Sequence, residues 1–475
     1  LYGSIELGMA QAPSGSRGTS PTEGQLYYDT DDDTLYAYNG TAWGRVSALT
    51  AIGGTETDYT GYKVHTFLSS DTFTVIGGSL TCDVLMVAGG GGGGSSWGGG
   101  GGGAGGMVVK SVTIPAGAHI ITVGDGGQGR QSPSGTPAES GEYTIGYGLD
   151  NGTNLIAVGG GGGDGAGNSG HDGGSGGGGG YNVPRDGGWS IQAQSVANDT
   201  ILGLLTNGGF STTSLNNTTS AAEGWTTAGN FTINSNSLYV RTGNYSLKAA
   251  GGTNTMCYHK MTPVAVGLSY TCTAWVYQTT GGGSAQARLQ IGTSKGGTEY
   301  TQTSTSTENQ WVQLSHTFTA TSKELYISIK GDNSPPASGC FVDDVYVTPA
   351  GTNSTYGFGN NGGTGDDDSG GGGGGATAVG GNGSTGGNGG AGGAGKNNDY
   401  RTGSNVTYAG GGGGGDRHNS AGAGGAGGGG AGGVNGPGTH GTDGLGGGGG
   451  GTSYWNSNND GGNGGSGIVV IRYAA

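Results

Sequence analysis

Charge is scarce in this sequence, and basic charge is scarcer still. Asp, Glu, Lys and Arg make up 10% of the 475 residues, with 17 Lys plus Arg against 32 Asp plus Glu and a net charge of -15. No basic cluster exists, which excludes a surface built to neutralise nucleic-acid phosphates. No run of about 18 apolar residues occurs, so no helical membrane insertion is expected. The four cysteines, Cys82, Cys257, Cys272 and Cys340, lack CxxC spacing and neighbouring histidines, which excludes a zinc site. Three of them fall in one region, where buried thiols are expected, with one disulfide as the alternative. The seven histidines are scattered, and neither an HExxH nor a GxSxG frame is present. Acidic residues lie mostly in turns, so no catalytic residue is assigned and a binding protein is expected rather than a hydrolase. The chain begins at Leu1 without a basic-then-apolar leader, which leaves a fragment and a processed chain both open.

Glycine is what the sequence has in excess, at 123 residues. Near-pure runs recur at about 89–106, 158–180, 359–395, 409–433 and 436–467. Short β-patterned segments bracket them: KVHTF (63–67), DTFTV (71–75), CDVLMVA (82–88), MVVKSVTI (107–114), HIITV (119–123) and, at the end of the chain, GIVVIRY (467–473). Composition divides the chain into 1–50, polar with turn signals; 51–204, glycine-rich; 205–349, ordinary; and 350–475, glycine-rich again.

Runs of this purity are open to two bland readings, a flexible linker and a low-complexity expansion. Strands on both sides argue against either. The glycines lack the strict third-residue period of collagen. A left-handed extended helix with three residues per turn leaves its N–H and C=O groups pointing outward. With hydrogen as every side chain, such helices can pack side by side and pair those groups with their neighbours. Six glycines then span roughly 19 Å. Ala104, Ala391, Ala394, Ala426 and Ala431 are expected at outer positions of such a lattice, where a methyl group fits.

The frame running from YKVHTFLSSDTFTV through CDVLMVAGGGGGG and MVVKSVTIPAGAHIITVGDGGQG to GGNGGSGIVVIRY resembles the glycine-rich domain of phage tail-fibre proteins and adhesins. The resemblance covers residues 60–200 and 350–475. It implies a layered sandwich of polyglycine II helices whose connecting loops form a distal surface that touches the host cell. The loop residues it singles out are Trp97, Tyr181, Trp189, Tyr400, Tyr408, Arg417, His418, Tyr454 and Trp455. The N-terminal stretch YYDTDDDTLYAYNGTAW reads as a small β-meander, two aromatic runs and an Asn39-Gly40 turn. It is similar to hairpins of virion fibre proteins. Asp29, Asp31, Asp32 and Asp33 read as a solvated turn, since no Gly-x5-Glu follows as a calcium loop requires.

Residues 205–349 carry several alternating segments at the spacing of a β-sandwich, and about 145 residues can bury a core of their own. The landmarks LTNGGFS, GNYSLKA, SYTCTAWVY, NQWVQLSHTFTA and CFVDDVYV resemble the jelly-roll carbohydrate-binding modules. That resemblance implies a structural calcium where the module's ends meet, with Asn207, Asp343 and Asp344 as ligands. Ser211 departs from the acidic residue common there. Sugar binding needs exposed ring faces and polar side chains, and Tyr239, Arg241, Tyr258, His259, Tyr277, Arg288 and Gln290 are the candidates. Trp225, Trp275 and Trp311 are assigned to the core.

The expected fold class is therefore all-β plus polyglycine II helices: an N-terminal meander, a glycine-rich body capped by strands and an inserted jelly roll. The expected function is attachment of a phage to a bacterial host as an extracellular tail fibre or fibre tip. Its expected partners are a surface glycan or outer-membrane receptor and other virion proteins, with a homotrimer and a monomer both open. A non-adsorbing structural fibre and a secreted bacterial adhesin are the alternatives.

Overall fold

The computed structural model describes residues 10–12, 20–31, 34–45, 49–95, 98–131, 138–165, 169–181, 185–192, 225–228, 231–241, 246–249, 252–261, 264, 269–279, 287–322, 324–333, 340–349, 357–453 and 459–475. These residues are all-β, apart from one short 3-10 turn at Ser237–Tyr239.

Every strand segment read from the glycine-rich part forms. Strands Leu80–Val87 and Met107–Ile114 pair antiparallel, so the chain leaves Val87 into glycine and returns at Met107 opposite it. The closing strand Ile468–Ala474 inserts between Leu80–Val87 and Tyr62–Phe67, pairing Ile468 with Val87 and Val469 with Phe67. A second sheet holds Thr153–Ala157, Thr144–Asp150, Gly117–Thr122, Asp71–Ile76 and Thr50–Ile52. Alternation puts Phe73, Val75, Ile121, Val84, Met86, Val469 and Ile471 into one buried cluster. Tyr473 locks the last strand down: its hydroxyl accepts the Ala51 amide at 3.2 Å and its ring stacks on His65.

Beyond the strands the glycine segments are buried and hydrogen-bonded by their backbones. Donors Gly89 and Gly92 go to Glu142 and Glu139; Gly90 and Gly93 go to Gly465 and Gly462; Gly91 and Gly94 go to Gly103 and Gly100. Successive residues thus address three different neighbours and return to the same one every third residue. The returning run repeats the pattern, with Gly99, Gly102 and Gly105 bonded to Thr452, Gly449 and Gly446. Gly101 and Ala104, bonded to Gly371 and Gly374, add a neighbour running in the same direction. A β-carbon on Gly93 would lie 2.1 Å from the Gly450 carbonyl oxygen, and one on Gly101 2.1 Å from that of Gly412. Ala391, Ala394, Ala426 and Ala431 are exposed as expected. Ala104 is not: it is fully buried beside Met107, Ala376 and Tyr408, where the lattice meets the sheet and a methyl has a core to join.

The N-terminal strands Ala10–Ala12, Leu26–Asp29, Thr34–Tyr38 and Trp43–Arg45 form one sheet in that order. Asn39 Oδ1 accepts the Thr41 and Ala42 amides, closing the second hairpin. Asp29 caps its own turn by accepting the Asp31 amide at 3.1 Å; Asp32 and Asp33 lie outside the described residues. The inserted module is two five-stranded antiparallel sheets. One has the order Thr226–Ala228, Gly252–Met261, Leu325–Asn333, Ala287–Gly292, Thr301–Thr305; the other Phe231–Asn234, Ser246–Ala249, Cys340–Pro349, Ser269–Gln278, Trp311–Thr319. Between them lie Leu247, Cys257, Cys272, Val276, Leu289, Ile327 and Val342. All four cysteines are free and buried, and burial raises Cys82 and Cys340 to about 12.

Gly101→Ala should destabilise the chain by about 3 kcal/mol, the upper end for overpacking, because a backbone carbonyl cannot move aside as a side chain does. Ala426→Gly, at an exposed position, should cost ~1 kcal/mol or less. Thermal unfolding of the full chain measures both.

Candidate functional site

Register decides which side chains of the sandwich share a face. On the strand Gly252–Met261, the residues Cys257, His259 and Met261 point into the core, so Tyr258 points outward. Across the sheet Tyr258 pairs with Ser328, Ser328 with Gln290 and Gln290 with Gln302. The adjacent row is Met256, Lys330, Arg288 and Ser304. Tyr326 lies 6.0 Å from Tyr258, ring centre to ring centre. This outer face therefore combines two half-buried tyrosines with amide, hydroxyl and cationic groups. The Gln290 amide donates to Gln302 Oε1 at 2.8 Å, fixing both side chains. The segment 293–299 folds over the centre of the face, where the Gly296 amide donates to Ser328 Oγ at 2.9 Å. That contact accounts for the burial of Ser328 and Gln290.

Of the sugar-binding candidates, Tyr258, Arg288 and Gln290 come together here. His259 does not: it faces the core, edge-on to Trp225, with neither ring nitrogen in hydrogen-bonding geometry. Burial pushes its pKa down from 6.5 to about 4, the Lys260 backbone offsetting this in part. Tyr239, Arg241 and Tyr277 belong to the other sheet. Trp225 is buried as expected, whereas Trp275 and Trp311 are half-buried on that sheet's solvent side rather than in the core, because the inner positions of their strands fall to Cys272, Ala274, Val276 and Leu314. Tyr326, Ser328 and Gln302 were missed, although the alternation around Ile327 and Ile329 places Tyr326 and Ser328 outward.

Asp343 and Asp344 are 0% and 1% exposed. Asp343 Oδ2 accepts the Arg241 amide and its Oδ1 the Asp344 amide, each at 2.8 Å. Asp344 Oδ2 takes the Arg241 guanidinium and its Oδ1 the Tyr346 hydroxyl. The guanidinium also lies 3.8 Å over the Trp275 ring. All four carboxylate oxygens thus have protein donors, one of them cationic. Calcium wants six to eight oxygen ligands, and these two carboxylates do not fit it: Arg241 supplies the counter-charge expected from the metal. Asn207 and Ser211 lie outside the described residues.

At the far end of the glycine body, loops converge through bridges of Arg185 to Gly365, Ser369 to Asp416 and Asp416 to Val434. Tyr181 belongs here, its amide on Gly98, as does Arg417, whose guanidinium meets Asp368 at 3.2 Å; His418 is exposed beside it. Trp189 instead bonds Gly173 near the strand end. Tyr400 packs under the Arg472 guanidinium at 3.9 Å, and Tyr408 is fully buried, so both serve the strand end rather than the loop end. Trp97, Tyr454 and Trp455 lie outside the described residues.

Residues 202–337 match the family described as a carbohydrate binding domain. The inserted sandwich is thus similar to carbohydrate-binding modules. Similar solved structures include TmCBM61 in complex with beta-1,4-galactotriose, at 14% identity over 30% of this chain and 97% of that one, TM-score 0.24. The C-terminal family 22 carbohydrate binding module of Clostridium thermocellum Xyn10B is 18% identical over 28% of this chain and 89% of its own, TM-score 0.22. The enzymatically active domain of tailspike protein 4 of bacteriophage CBA120 is 12% identical over 31% of this chain and 21% of its own, TM-score 0.24. No curated protein matches the chain.

Two predictions concern this module. Its stability should fall as pH drops from 6.5 toward 4, because the unfolded state protonates His259 first; the loss is on the order of 3 kcal/mol, and His259→Phe should flatten that slope in denaturant titrations. Arg241→Ala should cost roughly 2–4 kcal/mol, below the fully buried range because Arg241 keeps about a third of its side chain exposed. A chelator should leave the wild-type melting temperature unchanged in calorimetry.

Proposed function

We propose that this chain is a phage tail-fibre or fibre-tip protein that attaches to a bacterial surface glycan through the outer face around Tyr258, Tyr326, Arg288 and Gln302. The observation that carries the glycan reading is the register of that sheet, which gathers ring faces beside fixed amides and cations on a module of carbohydrate-binding type. A ring face stacks on sugar C–H groups, and the amides meet hydroxyls. The protein acts as a binder, not an enzyme, and its place is on the virion, outside the cell.

The body is read as a bundle of polyglycine II helices. The three-residue rotation of its hydrogen bonds supports this, since only a helix of three residues per turn presents successive amides to three neighbours in turn. Such a body is stiff and almost free of side chains, which suits a spacer that holds contact loops and a sugar-binding module at a distance. The N-terminal meander then joins it to the rest of a fibre.

A second reading, a spacer that binds no sugar, draws on one feature: the segment 293–299 lies across the centre of the same face. A glycan array probed with the full chain separates the two. Binding that weakens about tenfold in both Tyr258→Ala and Arg288→Ala supports attachment through this face. Array-wide silence of the wild-type chain supports the spacer.

A further inference from the structure

The sandwich has two solvent faces, and the surface around Tyr258 uses one. We propose that the outer face of the other sheet is a second, separate sugar-binding surface built on Tyr277 and Trp311.

Cross-strand register puts Phe341, Tyr277 and Trp311 in one row. Tyr239 lies flat on Phe341, with ring centres 4.2 Å apart and planes at 11°, and so buries it. Tyr239 then meets Tyr277 at 5.4 Å and 63°, and Tyr277 meets Trp311 at 5.6 Å and 61°. The rings form a stepped wall along the solvent side. Tyr277 and Trp311 remain half-buried. They add nothing to the core, which the inner positions of the same strands already close with Cys272, Ala274, Val276 and Leu314.

The next two rows set polar side chains beside one more ring. Trp275 pairs with Gln313 and Thr273 with Ser315. This mixture selects the occupant. An apolar protein partner would strip water from the amide and hydroxyls without replacing their hydrogen bonds. The Arg241 guanidinium is committed to Asp344, which leaves the Lys248 ammonium, 5.7 Å over the Phe341 ring, as a single cation beside the rings rather than a cationic patch for an acidic polymer. A neutral pyranose has an apolar C–H face for the rings and hydroxyls at its edge for Gln313 and Ser315. Because stacked sheets stand about 10 Å apart, one module would hold two glycan strands back to back, and two engaged sites multiply avidity without any new contact.

The test uses the full chain and three neutral probes, cellotriose, xylotriose and beta-1,4-galactotriose. Tryptophan is replaced by a fluorinated analogue, and the Trp311 signal is assigned from Trp311→Phe. A sugar-induced shift of that signal, retained in Tyr258→Ala and weakened about tenfold in apparent affinity by Tyr277→Ser, is the expected result. Tyr277→Phe should behave as wild type, which separates loss of the ring from loss of the fold. No Trp311 shift with any of the three sugars overturns the proposal. So does a shift that disappears in Tyr258→Ala, since it would then belong to the first face. A Trp311 response with no Tyr258-dependent binding to any sugar would count against the first surface alone.

Discussion

The glycine body depends on one constraint: its backbone groups pair with those of neighbouring segments at distances that leave no room for a β-carbon. Carbonyl oxygens stand about 2 Å from where such carbons would fall along Gly90 to Gly94 and again along Gly99 to Gly103. Glycine loses more conformational entropy on folding than any other residue. Here that cost is offset because nearly every amide of a run finds a carbonyl in a rotation of three neighbours. The sheets at one end supply what the lattice lacks, an apolar core and a register, by placing Val87, Met107 and Ile468 side by side at the mouths of three runs.

A body with so few side chains has little chemistry of its own. The side chains that could make contacts lie in its far loops and in the inserted sandwich. That sandwich rests on the body through apolar contact. Tyr143, Ile145, Ile156 and Val158 join the same buried cluster as Tyr270 and Leu325, and the Tyr143 and Tyr270 side chains hydrogen-bond. Within the sandwich, the Asp343 and Asp344 carboxylates are taken up by Arg241, Tyr346 and a backbone amide. The bulge between Thr273 and Trp275 pairing forces Asp344 to a φ of 47°, turns both carboxylates toward Arg241 and returns Val345 to the core.

Much of this was legible beforehand. Alternating Val, Ile and Leu marked the strands around the glycine, and the Asn39-Gly40 turn marked the N-terminal hairpin. Several strands escaped, Thr55–Tyr59, Thr144–Asp150 and Thr153–Ala157 among them, and two in the sandwich show why. Thr301–Thr305 reads TQTST, with no apolar position because it is an edge strand with little burial on either side. Gly252–Met261 opens on GTNT, a turn-like start that hides a ten-residue strand. Among candidate side chains, Tyr258 and His259 are neighbours in sequence and were treated alike, yet they point to opposite faces of one sheet.

The amino-acid sequence by itself determined that the chain is all-β, that its glycine is bracketed by strands and that an ordinary sandwich interrupts it, because composition and the period-two pattern are local properties. Tertiary structure alone decided which runs are neighbours, since glycine carries no side chain to encode a partner and the choice rests on distant strands closing the body. It also decided that Trp275 and Trp311 face solvent, that Tyr400 and Tyr408 belong to the strand end, and that Asp343 and Asp344 hold Arg241. Each of those outcomes follows from register, and register is set by residues on other strands.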